Sequence, residues 1–351
     1  MTSHTEAVEQ VCATVQTAYE RGTPLEIVGS GSRRHWGREP IGEPLVLASY
    51  RGIVAYEPSE YVITVRAGTP IADIEAAVAA HGQTLAAELP RGAGPSTIGG
   101  AVALGLTGPS RPYAGSLRDA ILGARIVTGT GQLLRFGGQV LKNVAGFDVS
   151  RLMVGAYGTL GVLMEVSLRL HPQPEESAVC VLACDWATAR SRLLGWTGRL
   201  PLTGACYYEG RLHVRLGGRA AAIGRAVQEI GGETGSADTF FALRDLRLDA
   251  LGVPPAALWR LLVPPAAPLD PPASVVDWGG AQRFWATQEP AGVVHALAAR
   301  LGGQAVRLAG ADRQEDVWAA PAPATMALYG RVKAVLDPRH ILNRGRLSAR
   351  W

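Results

Sequence analysis

The sequence predicts an α+β protein with two domains, and three observations lead to that prediction. The chain has 351 residues, which at about 150 residues per domain is too long for one ordinary core. Strand-like and helix-like apolar stretches alternate along its whole length. Two prolines, Pro172 and Pro174, follow two glycine-rich loops and mark the entry to a second set of strands and helices. We therefore expect a first domain over 1–172, a second over 173–322 and a segment, 323–351, that returns to the first.

The composition excludes several function classes. With 34 Lys and Arg residues against 30 Asp and Glu residues, the net charge is only +4, and no run of five or six like charges occurs. Nucleic-acid binding is therefore not expected. The N-terminus "MTSHTEAVEQ" is acidic where a secretory signal would be basic, and no stretch of 18 apolar residues predicts a membrane span.

The cysteines indicate neither a metal site nor an iron–sulfur cluster. Cys180 and Cys184 are close in sequence, but no second pair or histidine cluster completes a ligand set. We expect free thiols in a reducing cytoplasm at all four positions, with Cys12 and Cys206 as the other two.

The first 90 residues read as a small α/β subdomain, and residues 91–172 as a second one. Thr69 is a candidate cap for the second helix, with Pro70 at its first position and Gly82 at its end. The predicted elements are a helix over 5–21, strands over 25–29, 45–49, 52–56 and 61–66, and a helix over 70–81.

The first glycine-rich loop is "VGSGSRRHWG", Val28 to Gly37. A dinucleotide-binding loop would open a helix, but here Pro40 and another strand follow, and Arg34 stands where the third glycine is needed. Such a loop instead suits a nest of backbone N–H groups that holds a phosphate, with arginines at its rim. An ordinary glycine-rich turn is the alternative.

The second glycine-rich loop spans 90–123. Ser96 or Thr97 can cap a short helix that begins at "IGGAVA", and Gly99 and Gly100 would allow a close approach of backbone or ligand. Two such loops within 80 residues indicate an extended ligand with a diphosphate. A glycine-rich surface loop is the alternative.

The rest of the first domain reads as strands around one short helix. We expect a hairpin over 124–136 that turns at Gly129 and Gly131, and a helix capped by Asp148. The stretch 161–170 alternates between apolar and polar residues and predicts a half-buried strand.

The second domain alternates strands, hairpins and helices, as a cap over a site would. Its predicted elements are strands over 177–184, 258–263 and 304–309, hairpins over 205–216 and 275–286, and helices over 186–198, 219–230 and 291–301. Trp278 and Trp285 are candidates for the face of a site, a partner surface or the core. Arg283 is a candidate partner for a substrate carboxylate.

Four segments together resemble a known family. They are "VGSGSRRHWG", "PSTIGGAVA", "GSLRDAILGARIVTGTGQLLRFGGQVLKNVAGFDVSRLMVGAYGTLGVL" and the terminal "RVKAVLDPRHILNRGRL". They are similar to FAD-linked oxidases of the vanillyl-alcohol oxidase type, with the PCMH-type fold, and among them to the FAD-binding E subunits of bacterial glycolate oxidases. The stretches "KNVAGFD" and "GTLG" are the most specific. The tail departs from the family's Asn-Pro-Gly, with Asn343-Arg344-Gly345, and His340 replaces a common glycine.

The resemblance implies a two-subdomain FAD-binding fold with a smaller α+β cap, and a set of cofactor-binding residues. The first loop would wrap the pyrophosphate, the second would close on it, a third group would line the flavin or ribityl region, and backbone N–H groups would face the flavin pyrimidine edge. In that order the residues are Val28, Gly29, Ser30, Gly31, Ser32 and Arg33; Ser96, Thr97, Gly99 and Gly100; Gly115, Ser116 and Asp119; Gly161 and Val162. Ser32 takes the place of a histidine that some members link covalently to FAD, so we expect non-covalent FAD, with a packing or solvent role for His35.

The resemblance also implies a function. Oxidation of glycolate, a 2-hydroxy acid, needs a base for the hydroxyl proton, but the seven histidines form no His-x-His or Glu-His pair. We therefore expect an FAD subunit that passes electrons beside a catalytic flavoprotein subunit and an iron–sulfur subunit. It would be cytoplasmic, with at most a peripheral association with the inner membrane through partners. The alternatives are a stand-alone dehydrogenase for a small 2-hydroxy acid such as D-lactate, and a flavin-free scaffold.

Overall fold

The computed structural model describes residues 4–92, 94–138, 148–252, 257–270, 273–310, 313–314 and 316–349. In chain order, the strands are β1 Leu25–Val28, β2 Glu43–Val46, β3 Ile53–Glu57, β4 Val62–Arg66, β5 Gln83–Leu85, β6 Ile121–Val127, β7 Leu133–Gly137, β8 Val162–Pro172, β9 Glu176–Ala183, β10 Leu202–Tyr208, β11 Arg211–Gly218, β12 Glu233–Thr234, β13 Ala257–Leu262, β14 Val275–Asp277, β15 Gln282–Thr287 and β16 Gln304–Ala309. The α-helices are α1 His4–Arg21, α2 Ile71–Ala79, α3 Ile98–Leu104, α4 Arg111–Ala114, α5 Leu117–Ala120, α6 Val149–Leu152, α7 Trp186–Trp196, α8 Ala220–Ile230, α9 Asp238–Arg244, α10 Ala291–Arg300 and α11 Pro323–Leu336.

The sheet of the N-terminal part is antiparallel, in the order β3-β4-β8-β6-β7, with β5 paired to β8. The core packs α2, α3 and α5 on one face of this sheet. The other face packs against α1. Because both faces are covered, the central strand β8 is buried along most of its length.

The prediction of a half-buried strand at 161–170 is therefore wrong. Glu165 and Ser167 point away from the main core but are still buried, at 8% and 6% exposure. Glu165 accepts hydrogen bonds from Arg125 Nη1 at 2.8 Å and from the Tyr50 hydroxyl at 3.1 Å. The polar residues of the alternation thus meet polar partners under α1 instead of water.

A small parallel sheet of β1 and β2 positions the first glycine-rich loop, which begins where β1 ends. The tail of the chain returns to this sheet. The N–H of Leu25 donates to Ile341 O at 2.7 Å, and the N–H of Asn343 donates to Leu25 O at 2.8 Å. The tail therefore runs beside β1 at Ile341 and Asn343.

The second sheet contains eight antiparallel strands in the order β12-β9-β11-β10-β14-β15-β13-β16. Helices α7 and α8 cover one half of its outer face, and α10 covers the other half. Its inner face packs on the N-terminal part through a shared apolar cluster that includes Leu104, Tyr157, Cys206 and Phe284. We propose that these two sheets mark the two predicted domains.

Most predicted elements are present, with small differences at their ends. The strand predicted over 45–49 lies over Glu43–Val46. Helix α2 begins at Ile71, with Pro70 at the cap position, and the Thr69 hydroxyl bonds to Arg66 O and the backbone of Gly52 instead of capping the helix. The Asp148 cap is confirmed by its bond from Arg151 N at 3.1 Å. Most of the "KNVAGFD" motif lies outside the described residues.

Over the ranges that the structure describes, every helix is too short or too polar to cross a lipid bilayer.

Candidate functional site

A cleft lies between the first glycine-rich loop, the start of α3 and the tail, with about 550 Å³ of empty space when the open solvent at its mouth is included. It lies at the point where β1, α3, the turn before β8 and the tail converge. Its lining residues are Glu26, Ile27, Val28, Gly29, Ser30, Gly31, Ser32, Arg33, Arg34, Pro40, Thr97, Gly100, Ala103, Leu104, Tyr157, Asn343 and Arg346. All six residues predicted from the first loop, and two of the four from the second, therefore share one cavity.

The two glycine-rich loops touch each other at this cleft. The hydroxyls of Ser32 and Ser96 lie 3.2 Å apart, and a Cβ on Gly29 would overlap Thr97 Oγ1. Thr97 is the N-cap of α3 and accepts a bond of 3.3 Å from Gly100 N. Of the two capping candidates, Thr97 is therefore the one used.

Arg33 lines the cleft with a positive charge that is buried. Its side chain is 8% exposed, and its Nη1 is buried without a hydrogen-bond partner among the described residues. Its Nε donates to Ser96 Oγ at 3.2 Å, and its Nη2 donates to Pro90 O. Burial lowers the guanidinium pKa to about 10. A buried cation with an unused donor is suited to an anion in the cleft.

Arg346 adds a second buried guanidinium from the far end of the chain. It donates from Nη2 to Arg33 O at 3.0 Å and is 8% exposed. Burial, together with the nearby charge of Arg313, lowers its pKa to about 10. The sequence placed this segment near the flavin domain but identified no residue in it.

The turn before β8 completes the cleft wall. Tyr157 has a left-handed backbone, with φ of 54°, and its side chain is buried against Leu104. Two residues on, Thr159 O accepts a bond of 2.5 Å from Lys333 Nζ, which also donates to Asp337 Oδ2 at 2.6 Å. This buried ion pair attaches α11 and the tail to the turn.

Several predicted residues lie outside this cleft. Gly99 N donates to Ala67 O at 2.8 Å, and a Cβ there would overlap Ala67, so this glycine serves the packing of α3. Ser116 and Asp119 bond to each other in a capping box at the start of α5, just after Gly115. Gly161 and Val162 are buried at the start of β8. Their contact with a flavin stays a prediction.

The boundary between the two sheets holds a second polar cluster. Trp278 Nε1 donates to Gly108 O at 3.1 Å, and the guanidiniums of Arg111 and Arg260 lie 4.4 and 5.0 Å from the centre of the Trp278 rings. Arg260 Nε also donates to Gln282 Oε1 at 2.6 Å. Of the two tryptophans, Trp278 is the one that lies at the boundary, whereas Trp285 packs beside α10.

The prediction that Arg283 pairs with a substrate carboxylate is wrong. Its side chain is 2% exposed and donates to three backbone carbonyls, those of Gly280, Ala267 and Pro268. It therefore ties the chain at Ala267 and Pro268 to the turn at Gly280, and its donors are used by these carbonyls.

Other reactive groups do not gather near the cleft. The four cysteines are free thiols, and burial raises the pKa of Cys206 well above its usual range. His213 is buried against Tyr208, which lowers its pKa to about 4. Within the described ranges no three His, Cys, Asp or Glu side chains group as metal ligands would.

The cleft fits the diphosphate of FAD. Two buried guanidiniums face it without a carboxylate within 4.0 Å among the described residues, and one has a free donor. The glycines leave room for the backbone to approach a ligand, and Thr97 fixes the N-terminus of α3 at the opposite wall. These are the features that an extended anion requires.

Comparison with known proteins agrees with this geometry. A model of the FAD binding domain family matches residues 4–137. The glycolate oxidase subunit GlcE of Escherichia coli K12 is 41% identical over 338 residues, which is 95% of each chain. The glycolate oxidase subunit GlcD of Bacillus subtilis is 33% identical over 158 residues, which is 44% of this chain and 33% of GlcD.

The fold also matches a solved structure. That of an alkyldihydroxyacetonephosphate synthase superposes with a TM-score of 0.66 over 95% of this chain and 74% of the synthase, at 14% identity. This likeness, together with the match to the FAD binding domain family, confirms the predicted α+β fold.

Proposed function

Because this chain belongs to the family of glycolate oxidase subunit GlcE, we propose that it is the FAD-binding subunit of a glycolate oxidase complex. In that role it takes part in the oxidation of glycolate to glyoxylate and passes the electrons to a partner. One observation carries the proposal. The two glycine-rich loops meet at a cleft whose buried arginines, Arg33 and Arg346, have no carboxylate partner in the described parts of the chain.

The residues of the cleft would hold FAD by its diphosphate. Arg33 would donate from its free Nη1, and Arg346, which bonds to Arg33 O, would add positive charge beside it. The N–H groups of residues 28–33 would supply further donors. When bound, FAD supplies a two-electron acceptor, and the protein orients it and keeps its charges apart from water.

We infer that the cofactor is held without a covalent bond. Ser32 stands where some relatives carry a linking histidine, and its hydroxyl lies within hydrogen-bond distance of Ser30 and Ser96. His35 stacks edge-on against Trp36, and burial beside Arg313 lowers its pKa. A neutral imidazole among arginines suits packing at the base of the loop.

We also propose that a partner subunit supplies the base for the hydroxyl proton. Around the cleft, the described residues offer arginines and hydroxyls but no histidine–carboxylate pair that could take a proton near neutral pH. The partners that we propose are a catalytic flavoprotein subunit and an iron–sulfur subunit. The proposal places the complex in the cytoplasm, at most peripherally at the inner membrane through those partners.

An absorption spectrum of the purified chain tests the proposal. We expect a yellow protein that releases its FAD on acid precipitation and that turns over glycolate only slowly with an artificial acceptor. Addition of a native extract followed by affinity capture should recover partner subunits together with glycolate oxidation. A colourless chain that takes up no FAD would indicate the scaffold alternative. Rapid turnover of glycolate or D-lactate by the lone chain would indicate a stand-alone dehydrogenase.

A further inference from the structure

Asp245, in the turn that follows α9, is a buried carboxylate that lies outside the cleft. Its side chain is 2% exposed and accepts bonds from Arg244 Nε at 2.9 Å, Arg244 Nη2 at 2.8 Å and Arg247 Nη2 at 3.1 Å. It also accepts a bond of 2.7 Å from the backbone N–H of Arg91, although 154 residues separate the two. Burial opposes the charge, but these donors keep the pKa of the carboxyl below its ordinary value. A charged acceptor therefore joins the part of the chain that carries the second sheet to the second glycine-rich loop.

The peptide unit between Pro90 and Arg91 connects this carboxylate to Arg33. Its carbonyl, Pro90 O, accepts from Arg33 Nη2, and its N–H donates to Asp245 Oδ1. The C=O and N–H of a trans peptide unit point in opposite directions, so Arg33 and Asp245 lie on its two sides. Ser96 Oγ holds the next peptide unit, because it donates to Arg91 O and accepts from Arg33 Nε at 3.2 Å. Arg33 is thus held by a segment that Asp245 holds in turn.

The bond to Asp245 is important for the orientation of this peptide unit. Over the ranges that the structure describes, neither Pro90 nor Arg91 forms a hydrogen bond with another backbone group. Without the carboxylate, the unit would be free to turn its carbonyl away from Arg33. A hydrogen bond from an N–H to a carboxylate is stronger than one to a neutral acceptor, so Asp245 opposes that rotation.

The position of Arg33 matters more than its ionisation. Burial lowers the pKa of its guanidinium and the charge of Asp245 raises it, and at about 10 it leaves Arg33 charged at neutral pH. Nε and Nη2 are both bonded, whereas Nη1 is buried without a partner among the described residues. Two fixed nitrogens of a planar guanidinium also fix the third. The carbonyl of Pro90 therefore helps to decide where Nη1 points.

We propose that Asp245 is a positioning residue for Arg33, which it orients through the peptide unit between Pro90 and Arg91. The inference rests on the proposed function, since the ligand of Arg33 Nη1 would be the diphosphate of FAD. Asp245 itself would not touch the cofactor. Its role makes the affinity for FAD depend on how the chain after α9 docks on the second glycine-rich loop.

A double-mutant cycle on FAD affinity tests this role. Fluorescence titration with FAD would compare the wild type, Asp245→Ala, Arg33→Met and the variant that carries both substitutions. We expect Asp245→Ala to weaken FAD binding at least about fivefold in the wild-type background. In the Arg33→Met background the same substitution should change FAD affinity by less than about twofold, because the guanidinium on which it acts is gone. A residue that only stabilises the fold would weaken FAD binding by the same factor in both backgrounds.

A conservative variant and a control separate position from stability. Asp245→Asn keeps an oxygen that can accept from Arg91 N, so it should recover most of the FAD affinity that Asp245→Ala loses. Its denaturation midpoint should still fall, because Arg244 loses its counter-charge. Asp185→Ala is the matched control. Asp185 accepts a bond of 2.7 Å from Thr188 N at the start of α7, away from the cleft, so its loss should lower the midpoint and leave FAD affinity unchanged.

The outcomes separate this inference from the proposed function. Unchanged FAD affinity in Asp245→Ala overturns the inference, and so does equal weakening in both backgrounds. If Asp245→Ala fails to fold, which near-ultraviolet circular dichroism would report, the paired substitution Arg244→Met with Asp245→Leu takes its place in the cycle with the same expected result. Apolar residues often replace a buried ion pair without loss of the fold. A wild type that binds no FAD contradicts the proposed function and this inference with it, whereas an additive cycle in a chain that binds FAD contradicts the inference alone.

Discussion

Asn343 Oδ1 accepts a hydrogen bond of 2.7 Å from the backbone N–H of Ile27, although 316 residues separate the two. The amide group of the same side chain donates to Tyr157 O at 2.6 Å. One side chain thus joins the strand before the first glycine-rich loop to the turn before β8. Since both segments line the cleft, the tail fixes the cleft's width as well as closing one of its walls.

Replacement of Asn343 by alanine should therefore damage both stability and FAD binding. The substitution leaves Ile27 N and Tyr157 O without their partner, at a cost on the order of 1–3 kcal/mol for each group that stays buried. It also puts alanine, which adopts the left-handed region less readily than asparagine, on a backbone with φ of 44°. We expect a lower denaturation midpoint and weaker FAD affinity. Asn343→Gly loses the same bonds without the steric conflict, so it should be the milder variant. A wild-type denaturation midpoint and FAD affinity in Asn343→Ala would show that this side chain does not hold the two segments together.

Gly29→Ala should separate the two loops. The new β-carbon would overlap Thr97 Oγ1 and displace the cap of α3, which costs about 0.5–2 kcal/mol. Because both loops would move, FAD affinity should fall more than stability does. Fluorescence titration with FAD measures the first and thermal unfolding the second.

The double variant with Thr97→Ala provides the internal control for that prediction. Removal of the threonine hydroxyl makes room for the new β-carbon, so the double variant should lose less than the sum of the two single losses. Strictly additive losses at Gly29 and Thr97 would show that the two do not meet.

Gly224→Ala, in the exposed interior of α8 where a β-carbon meets nothing within 4 Å, should stabilise the chain by about 0.5–1 kcal/mol.

Arg33→Met should weaken FAD binding at least about tenfold, because a charge-assisted bond to the diphosphate is lost. The FAD-free chain should keep its stability within about 1 kcal/mol, since removal of a buried charge offsets the loss of its two hydrogen bonds. Arg225→Met is the matched control. Arg225 is exposed on α8, away from the cleft, so its loss should change FAD affinity little. Equal effects of the two substitutions would argue against a specific role of Arg33.

Local signals in the sequence predicted the parts of the site that lie on contiguous segments. Glycine spacing, the prolines after the first loop and the capping pattern at Thr97 identified both loops, since these features act within a few residues. Their convergence followed only from the ligand that they were expected to share. The structure adds that Ser32 meets Ser96 directly.

Other parts of the site depend on contacts between distant residues, which no local pattern encodes. Asn343 and Arg346 reach the cleft because the tail pairs with β1, and Tyr157 because its turn leads into β8. Arg283 looked like an anion partner by composition alone, but neighbouring carbonyls use its donors. Burial on both faces of β8 likewise depends on α1, which lies far from it in sequence.

The pH dependence of stability should report on Asp277. Burial, with Glu88 nearby, raises the pKa of this carboxyl to about 7 in the folded chain, whereas an aspartate in an unfolded chain titrates near 3.9. Between about pH 4 and pH 7 the folded chain therefore keeps a proton that the unfolded chain has lost. As the pH rises through that window, this group should lower the free energy of unfolding by about 1.4 kcal/mol per pH unit. Below and above the window it should add nothing to the slope.

Asp277→Asn removes the titration and should remove that slope. Denaturant unfolding at intervals from pH 4 to pH 8 would compare the two proteins, and the difference between them isolates Asp277 from every other group. Asp249→Asn, which changes an exposed carboxylate, is the control and should keep the wild-type slope. If Asp277→Asn follows the wild type across the whole range, Asp277 is ionised in the folded chain throughout. It would then be a full counter-charge for Arg260.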